Sequence, residues 1–282
     1  MKSINFIKLL GSAAIFGYAV FMSGCIEIPG EGSLAEDIGY KNRKQYVVSG
    51  LQGNVGDFLA SSSTLPLRFE IANVTETSGK DVSALKEALS VVQYKEDIIG
   101  NESDQELALK SETIKQAAVT INPNTGQFEL IEGNKIPAGE YRFDVQVTNS
   151  SGSKILKDAI VIEFVEYQVN TWAPGMKSMP VIERVADSPN QILFVGYLNG
   201  EKLPGDRIDF TRDRNNGFKG TFVDDNAEGE LWKVNFPVKS ANTFCSWKAI
   251  TNTDGVEQVS YLSEQFNFVL GIPGSYVIRL YK

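Results

Sequence analysis

The chain has 282 residues, with 27 basic against 35 acidic side chains and no histidine at all. An acidic surface repels phosphate, and no basic stripe interrupts it, so the balance argues against a nucleic-acid partner. The missing imidazole excludes Ser-His-Asp and Cys-His nucleophile systems, histidine-ligated metals and the commonest general base.

Taken in order, the chain starts with Lys2 and Lys8 and then an uncharged, mostly apolar run from Leu9 to Met22. That run is shorter than the roughly 20 residues a transmembrane helix needs, and small residues follow it. Residues 1–24 therefore read as a secretory signal peptide. The segment ends in Met22-Ser23-Gly24-Cys25, which resembles the lipobox of bacterial lipoproteins, with Met22 in place of the usual leucine. The resemblance implies that Cys25 carries the lipid and that the membrane is one partner. Ile26 stands where an aspartate would signal inner-membrane retention, so the resemblance implies the outer membrane of a Gram-negative bacterium. Glu27, Glu31, Glu36 and Asp37 resemble the acidic export tag of surface lipoproteins, which implies exposure at the cell surface. One acyl chain anchors only marginally, at about 0.8 kcal/mol per buried CH₂, whereas the three chains of that family hold firmly.

Loss of Lys2 and Lys8 with the signal leaves 25 basic against 35 acidic residues, a balance of −10. With Cys25 lipidated, Cys245 has no cysteine left to pair with. Residues 25–44 hold Pro29, Gly30, Gly32 and Gly39 among charges and read as a flexible tether. Its end-to-end distance would be roughly 25 Å.

From Gln45 the pattern changes to short runs rich in Val, Ile, Phe and Tyr. Strands are predicted over Tyr46 to Val55 and Leu65 to Val74. Val82, Leu85 and Leu89 recur at helical spacing, with Ala88 alongside, and predict a short amphipathic helix before a strand over Val91 to Ile98. Ser103 and Glu106 have the spacing of a capping box and predict a second short helix before Ala117. Tyr141, Phe143, Val145 and Val147 alternate with Arg142, Asp144, Gln146 and Thr148, the pattern of a half-buried strand. Asn149 to Ser153 supply a turn and Ile155 to Val165 the returning strand, closing a first domain over 45–166.

Two motifs in this domain resemble known families. Ile121-Asn122-Pro123-Asn124-Thr125-Gly126-Gln127-Phe128 resembles a turn of cadherin-like repeats. Pro137-Ala138-Gly139-Glu140-Tyr141 resembles the approach to a strand in bacterial immunoglobulin-like domains, where a tyrosine corner fixes the chain through its hydroxyl. The resemblance implies an immunoglobulin-like β-sandwich. Cadherin-type calcium ligands are not recognisable, so no metal carries over.

The second domain is expected over 167–282, with Tyr167 to Pro180 as a linker broken at Pro174-Gly175. Ile192 to Leu198 is apolar on both faces and predicts a central strand. Arg207 to Arg212 and Phe218 to Val223 flank Asn216-Gly217, a hairpin signal because both turn residues tolerate positive φ. Leu231 to Phe236, Phe244 to Ile250, Glu264 to Val269 and Tyr276 to Tyr281 complete the set. The fold class is thus all-β with one or two short helices. An immunoglobulin-like β-sandwich precedes a second antiparallel β-sandwich or jelly roll, with no repeat apparent between the halves.

No catalytic residue, metal or cofactor is predicted. Cys245, between Phe244 and Trp247, reads as a buried inert thiol. Asp224, Asn226, Glu228 and Gly229 begin an EF-hand-like spacing, but its twelfth position is Asn235, not glutamate, and strands flank it. An acidic hairpin turn is the better reading. Trp232 shares a strand face with Val234 and Phe236, and Trp247 with Cys245 and Ala249, so both belong to the core. Trp172 lies in the break before Ala173-Pro174-Gly175 and follows no apolar alternation. It is either packed between domains or exposed as a flat platform on which a sugar ring can stack. Tyr197 is a second candidate for the same role.

The whole chain resembles the accessory lipoproteins encoded with polysaccharide-uptake systems of Gram-negative bacteria, which combine a lipidated cysteine, a tether, an immunoglobulin-like module and a distal β-sandwich. That resemblance implies a lipid-anchored, non-enzymatic envelope protein whose partner is a glycan. The alternative is a structural or adhesion subunit bound to an outer-membrane protein. Glycoside hydrolysis by paired carboxylates is the least favoured reading, because no local motif selects two acids.

Overall fold

The computed structural model describes residues 33–210, 219–241 and 243–282. The first sandwich begins with β1 (Gly39–Tyr40), β2 (Lys44–Val48), β3 (Gly53–Val55), β4 (Phe58–Leu59) and β5 (Arg68–Glu76). A projecting arm follows, made of β6 (Ala88–Tyr94), the helix α1 (Asp104–Lys110) and β7 (Ser111–Ala117). The sandwich then resumes with β8 (Val119–Ile121), β9 (Phe128–Leu130), β10 (Gly139–Asn149) and β11 (Gly152–Val165). One sheet has the order β2-β11-β10-β5 and the other β3-β9-β8. All these ladders are antiparallel except β2 on β11, which is parallel.

The predicted alternation in β10 is what joins the layers. Tyr141, Phe143, Val145 and Val147 are buried, and the Phe143 ring meets Phe128 of the other sheet edge-on at 4.8 Å. Burying each such side chain contributes about 1.5–3 kcal/mol over leaving it in water. Asp144 departs from the expected outward row. Both ladders of β10 shift register beside it, and its covered carboxylate accepts from Lys157 Nζ at 2.7 Å and from the Asp158 amide at 2.9 Å. The neighbouring ammonium holds this carboxyl below its ordinary range.

Three expectations for this domain need correction. The stretch read as a tether to residue 44 is already packed by Ile38 and Tyr40, both buried in the core, and the Tyr40 hydroxyl donates to Gly126 O at 2.6 Å. The single strand over Tyr46 to Val55 is two strands in different sheets. The chain crosses between them at Ser49-Gly50, where Gly50 takes a positive φ of 86° and donates to Asn134 Oδ1 at 3.0 Å. The helix read from Val82, Leu85 and Leu89 is only a 3₁₀ turn over Ser83–Lys86, with Leu85 buried, and Leu89 already belongs to β6. Three apolar positions match one helical turn and one strand step equally well, and the β7 partner decides for strand. The capping box at Ser103 and Glu106, in contrast, is formed reciprocally at the start of α1.

The second sandwich comprises β12 (Tyr167–Trp172), β13 (Val181–Ala186), β14 (Gln191–Leu198), β15 (Glu201–Lys202), β16 (Ile208–Phe210) and β17 (Gly220–Asn226). It continues with β18 (Gly229–Val234), β19 (Val238–Lys239), β20 (Thr243–Thr253), β21 (Val256–Leu270) and β22 (Ser275–Tyr281). Its sheets run β12-β21-β20-β16 and β13-β22-β14-β18-β17, with β14 central as expected and parallel to β22. Between the sheets lie Phe194 stacked on Phe210 at 3.5 Å, with Phe266, Phe268, Trp247 and Tyr276 around them. The predicted linker over Tyr167 to Pro180 is in part strand, since β12 pairs with β21. The predicted hairpin is also overturned: β16 pairs with β20 and β17 with β18, in different sheets, while Asn216-Gly217 itself lies outside the described residues.

Both domains carry the same corner. Tyr141 Oη donates to Pro137 O at 3.0 Å, as its motif implied, and Tyr276 Oη donates to Ile272 O at 2.8 Å. The domains meet where Ser49 and Gly50, next to the end of β11, touch Gly271 backbone to backbone.

Candidate functional site

Trp172 ends β12, the edge strand of its sheet, opposite the wholly buried Phe266. Tyr167 and Val169, earlier in the strand, pack against the core. A register shift between Val169 and Thr171 then puts Trp172 in the Phe266 row at the rim, with 45 % of its surface exposed. Of the two readings open to it, exposure describes this indole better than packing between domains.

Tyr197 sits on β14, in the other sheet. It is the register partner of Tyr281, and the two rings stack at 4.8 Å. Arg279, two residues before Tyr281, holds Glu183 at 2.8 Å. The two aromatic candidates therefore do not share one sheet face. Residues 173–177 tie their neighbourhoods together: Ala173 N donates to Gln265 O at 2.8 Å and Lys177 N to Tyr281 O at 2.9 Å. The Lys282 ammonium donates to Gly175 O at 2.9 Å and forms an ion pair with Glu264. Chemically this rim offers a flat apolar face, a stacked phenol pair and fixed charges, which suits adhesion to a polyhydroxylated ligand better than proton transfer.

The remaining candidates lie elsewhere. Cys25 is outside the described residues. Cys245 is buried, and burial, followed by the charges of Glu230 and Asp209, pushes its thiol well above the ordinary value. Trp247 is fully buried, and Trp232 is buried with its indole N–H donating to Glu230 Oε1 at 2.7 Å. Asp224, Asn226 and Glu228 form the β17–β18 turn, where Asn226 Nδ2 donates to Asp224 Oδ2 and Lys202 holds Glu228 at 2.6 Å.

Residues 71–164 match the family model of the fourth Ig-like domain of BT4661, a Bacteroides protein. That segment is immunoglobulin-like. It covers β10 and β11 and most of β5, with the arm between them. Neither the curated proteins nor the solved structures contain a match to the chain. An immunoglobulin-like domain agrees with a binding or structural role.

Sequence reasoning missed the second tyrosine corner, although Ile272-Pro273-Gly274-Ser275-Tyr276 echoes Ile136-Pro137-Ala138-Gly139-Glu140-Tyr141 closely enough to find it. It also missed the arm as an exposed apolar element. Its signal was the pair Ile98-Ile99 set among acids.

Proposed function

We propose that the protein is a lipid-anchored, non-enzymatic binding protein of the cell envelope. In this reading Cys25 is held at the outer membrane, the first domain is a spacer, and the second presents a carbohydrate-binding rim at Trp172 and Tyr197 within a polysaccharide-uptake system. The observation that carries it is the direction of the first domain. Ser33 O accepts from Thr64 N at 2.9 Å and from Asn149 Nδ2 at 3.0 Å, beside the β10–β11 turn. From that turn β11 runs 14 residues to Val165, about 40 Å at 3.3 Å per residue. Val165 adjoins the Ser49-Gly50 contact with the second domain. An anchor at Cys25, eight residues before Ser33, would thus hold the second domain at the far end from the membrane.

The test is retention of the full chain in native gels cast with soluble polysaccharides. Trp172→Ala removes one stacking face worth about 0.5–1.5 kcal/mol, so affinity for a retained polymer falls roughly three- to tenfold. No retention across a broad panel of neutral and acidic polymers removes the carbohydrate reading. Protease shaving of intact cells decides the surface assignment: a protein that stays intact until the cells are lysed is not displayed outside.

The arm favours a second reading, attachment to a protein of the outer membrane. Ile99 and Leu109 are 75 % and 79 % exposed at its tip. The tip is nevertheless held firmly, since Glu102 accepts from the amides of Ile99 and Gly100, both at 2.8 Å, and from Lys110 Nζ at 2.9 Å. Ordered apolar side chains in water gain nothing within the chain, whereas preorganisation lowers the cost of docking. Co-purification with one partner after mild crosslinking, lost in Ile99→Asp and indifferent to sugars, would favour this reading over the first.

A further inference from the structure

One end of the outer face of β17 and β18 gathers lysines around a cleft. Thr221 lies opposite Lys233, and Lys219 and Asn235 flank the adjacent pair Gly220 and Val234. Val234 is buried, and side chains alternate along a strand, so Lys219, Thr221, Lys233 and Asn235 share the outward face. With Pro189 and Asn190 they line a cleft of about 480 Å³. A second cleft of about 440 Å³, lined by Phe236, Pro237, Val238 and Lys239, shares Lys219 and Asn235 with the first. The two therefore run together. Each falls in the range of about 300–1,000 Å³ that small-molecule sites occupy.

Five lysines elsewhere hold carboxylates, Lys44, Lys110, Lys157, Lys202 and Lys282. Lys219, Lys233 and Lys239 pair with none among the described residues. Three unneutralised ammonium groups converge on one cleft in a chain of net charge −8. Such a cleft concentrates anions. Its remaining lining adds hydroxyl and amide groups at Asn190, Thr221 and Asn235 and an apolar patch at half-buried Phe236. We propose that this cleft binds the acidic groups of an anionic polysaccharide. Carboxylates or sulfates meet the lysines, sugar hydroxyls meet the amides and the threonine, and a ring face lies against Phe236. The inference rests on the carbohydrate-binding reading but uses a face other than the Trp172 rim.

The experiment compares retention of the full chain on polygalacturonate, dextran sulfate, unmodified dextran and single-stranded DNA, at low and at moderate salt. The expected result is retention on one or both acidic polysaccharides, and weaker retention on DNA and on dextran. The triple variant Lys219→Gln, Lys233→Gln, Lys239→Gln loses about tenfold or more in affinity and much of the salt dependence, whereas Trp172→Ala leaves the salt dependence in place. All three lysines are exposed, so circular dichroism should show the triple variant folded. Acidic polymers held equally by the triple variant would overturn the cleft assignment, as would DNA held as tightly as the polysaccharides. Retention of neutral polymers alone, sensitive to Trp172→Ala, would overturn the cleft and leave the carbohydrate reading standing. Retention of no polysaccharide would overturn both.

Discussion

The contact between the two domains depends on the absence of a side chain at Gly271. A Cβ placed there would overlap the Ser49 carbonyl oxygen and come within 2.8 Å of its carbon, against the 3.5–4.0 Å usual for two carbons. Both groups are backbone, so no rotamer can relieve the clash, and Gly271→Ala must part the two chains by about 1 Å. Gly50, whose amide donates to Asn134 Oδ1 at 3.0 Å, would be displaced with them. Overpacking of this kind costs about 1–3 kcal/mol. Trp172, Trp232 and Trp247 all lie in the second domain, so tryptophan fluorescence during urea unfolding reports that domain alone. Hydrogen exchange at the Gly50 amide reports the first. The expected outcome is a lower fluorescence midpoint or faster Gly50 exchange, together with a larger radius of gyration in solution scattering. Gly39→Ala is the control, since nothing lies within 4 Å of a Cβ at that position. If Gly271→Ala matches the control in midpoint, exchange and dimensions, the contact does not join the domains in solution and the rigid-spacer argument fails.

Two further outcomes are expected. Tyr141→Phe and Tyr276→Phe should each cost about 0.5–1.5 kcal/mol, the net worth of one hydrogen bond, and add in the double variant because their cores are separate. Marked non-additivity in unfolding experiments would contradict that separation. Hydrogen bonds from Ile99 N and Lys110 hold the Glu102 carboxyl down at about 2, against an ordinary 4.5. Because the folded value is depressed, the stabilisation of the arm tip is complete above about pH 4.5 and is lost as pH falls toward 2. Amide exchange at Ile99 and Gly100 should therefore stay slow at pH 4 and speed up near pH 2. Unprotected amides at pH 4 would contradict the hydrogen-bonded tip.

Strong local patterns in the sequence translated directly into structure. The β10 alternation, the apolar β14 and the Ser103 capping box each depend on neighbours within a few residues, and each is formed. The Asn122–Phe128 turn also survives: Asn122 Oδ1 accepts from the amides of Asn124 and Thr125, and Gly126 takes a φ of 74°. Partner choice was not legible. The Asn-Gly rule predicts a hairpin at 216–217, but the flanking strands diverge to different sheets. The same rule correctly describes Asn199-Gly200, between β14 and β15, and Asp254-Gly255, between β20 and β21, all four at positive φ. What separates these cases is the length and pairing of the flanking strands, which a dipeptide does not encode. The exposed half of β21 has no legible signal, because Glu257 to Ser263 stands in water on both faces and carries no alternation. At the candidate site, the poor local pattern of Trp172 left packing between domains and exposure both open, and only the structure decides for exposure. Its separation from Tyr197 depends on which sheet each strand joins, and no short-range signal contains that.

The two tyrosine corners bear on the junction as well as on their own cores. In each, a proline lies beside the turn and supplies no amide, and the ring of the tyrosine is buried while its hydroxyl satisfies a carbonyl four residues earlier. The loop pinned in the first domain contains Asn134 and Ile136, whose side-chain amide and carbonyl hold Gly50 N and Ser49 Oγ. The carbonyl pinned in the second belongs to Ile272, next to Gly271. The backbones that touch at the junction are thus each braced from their own core. A spacer that must hold a binding domain at a set distance needs its two halves to move together, and bracing both sides of a contact made without side chains supplies that. Loosening either corner should therefore speed exchange at Gly50 even where the domain that lost the bond stays folded.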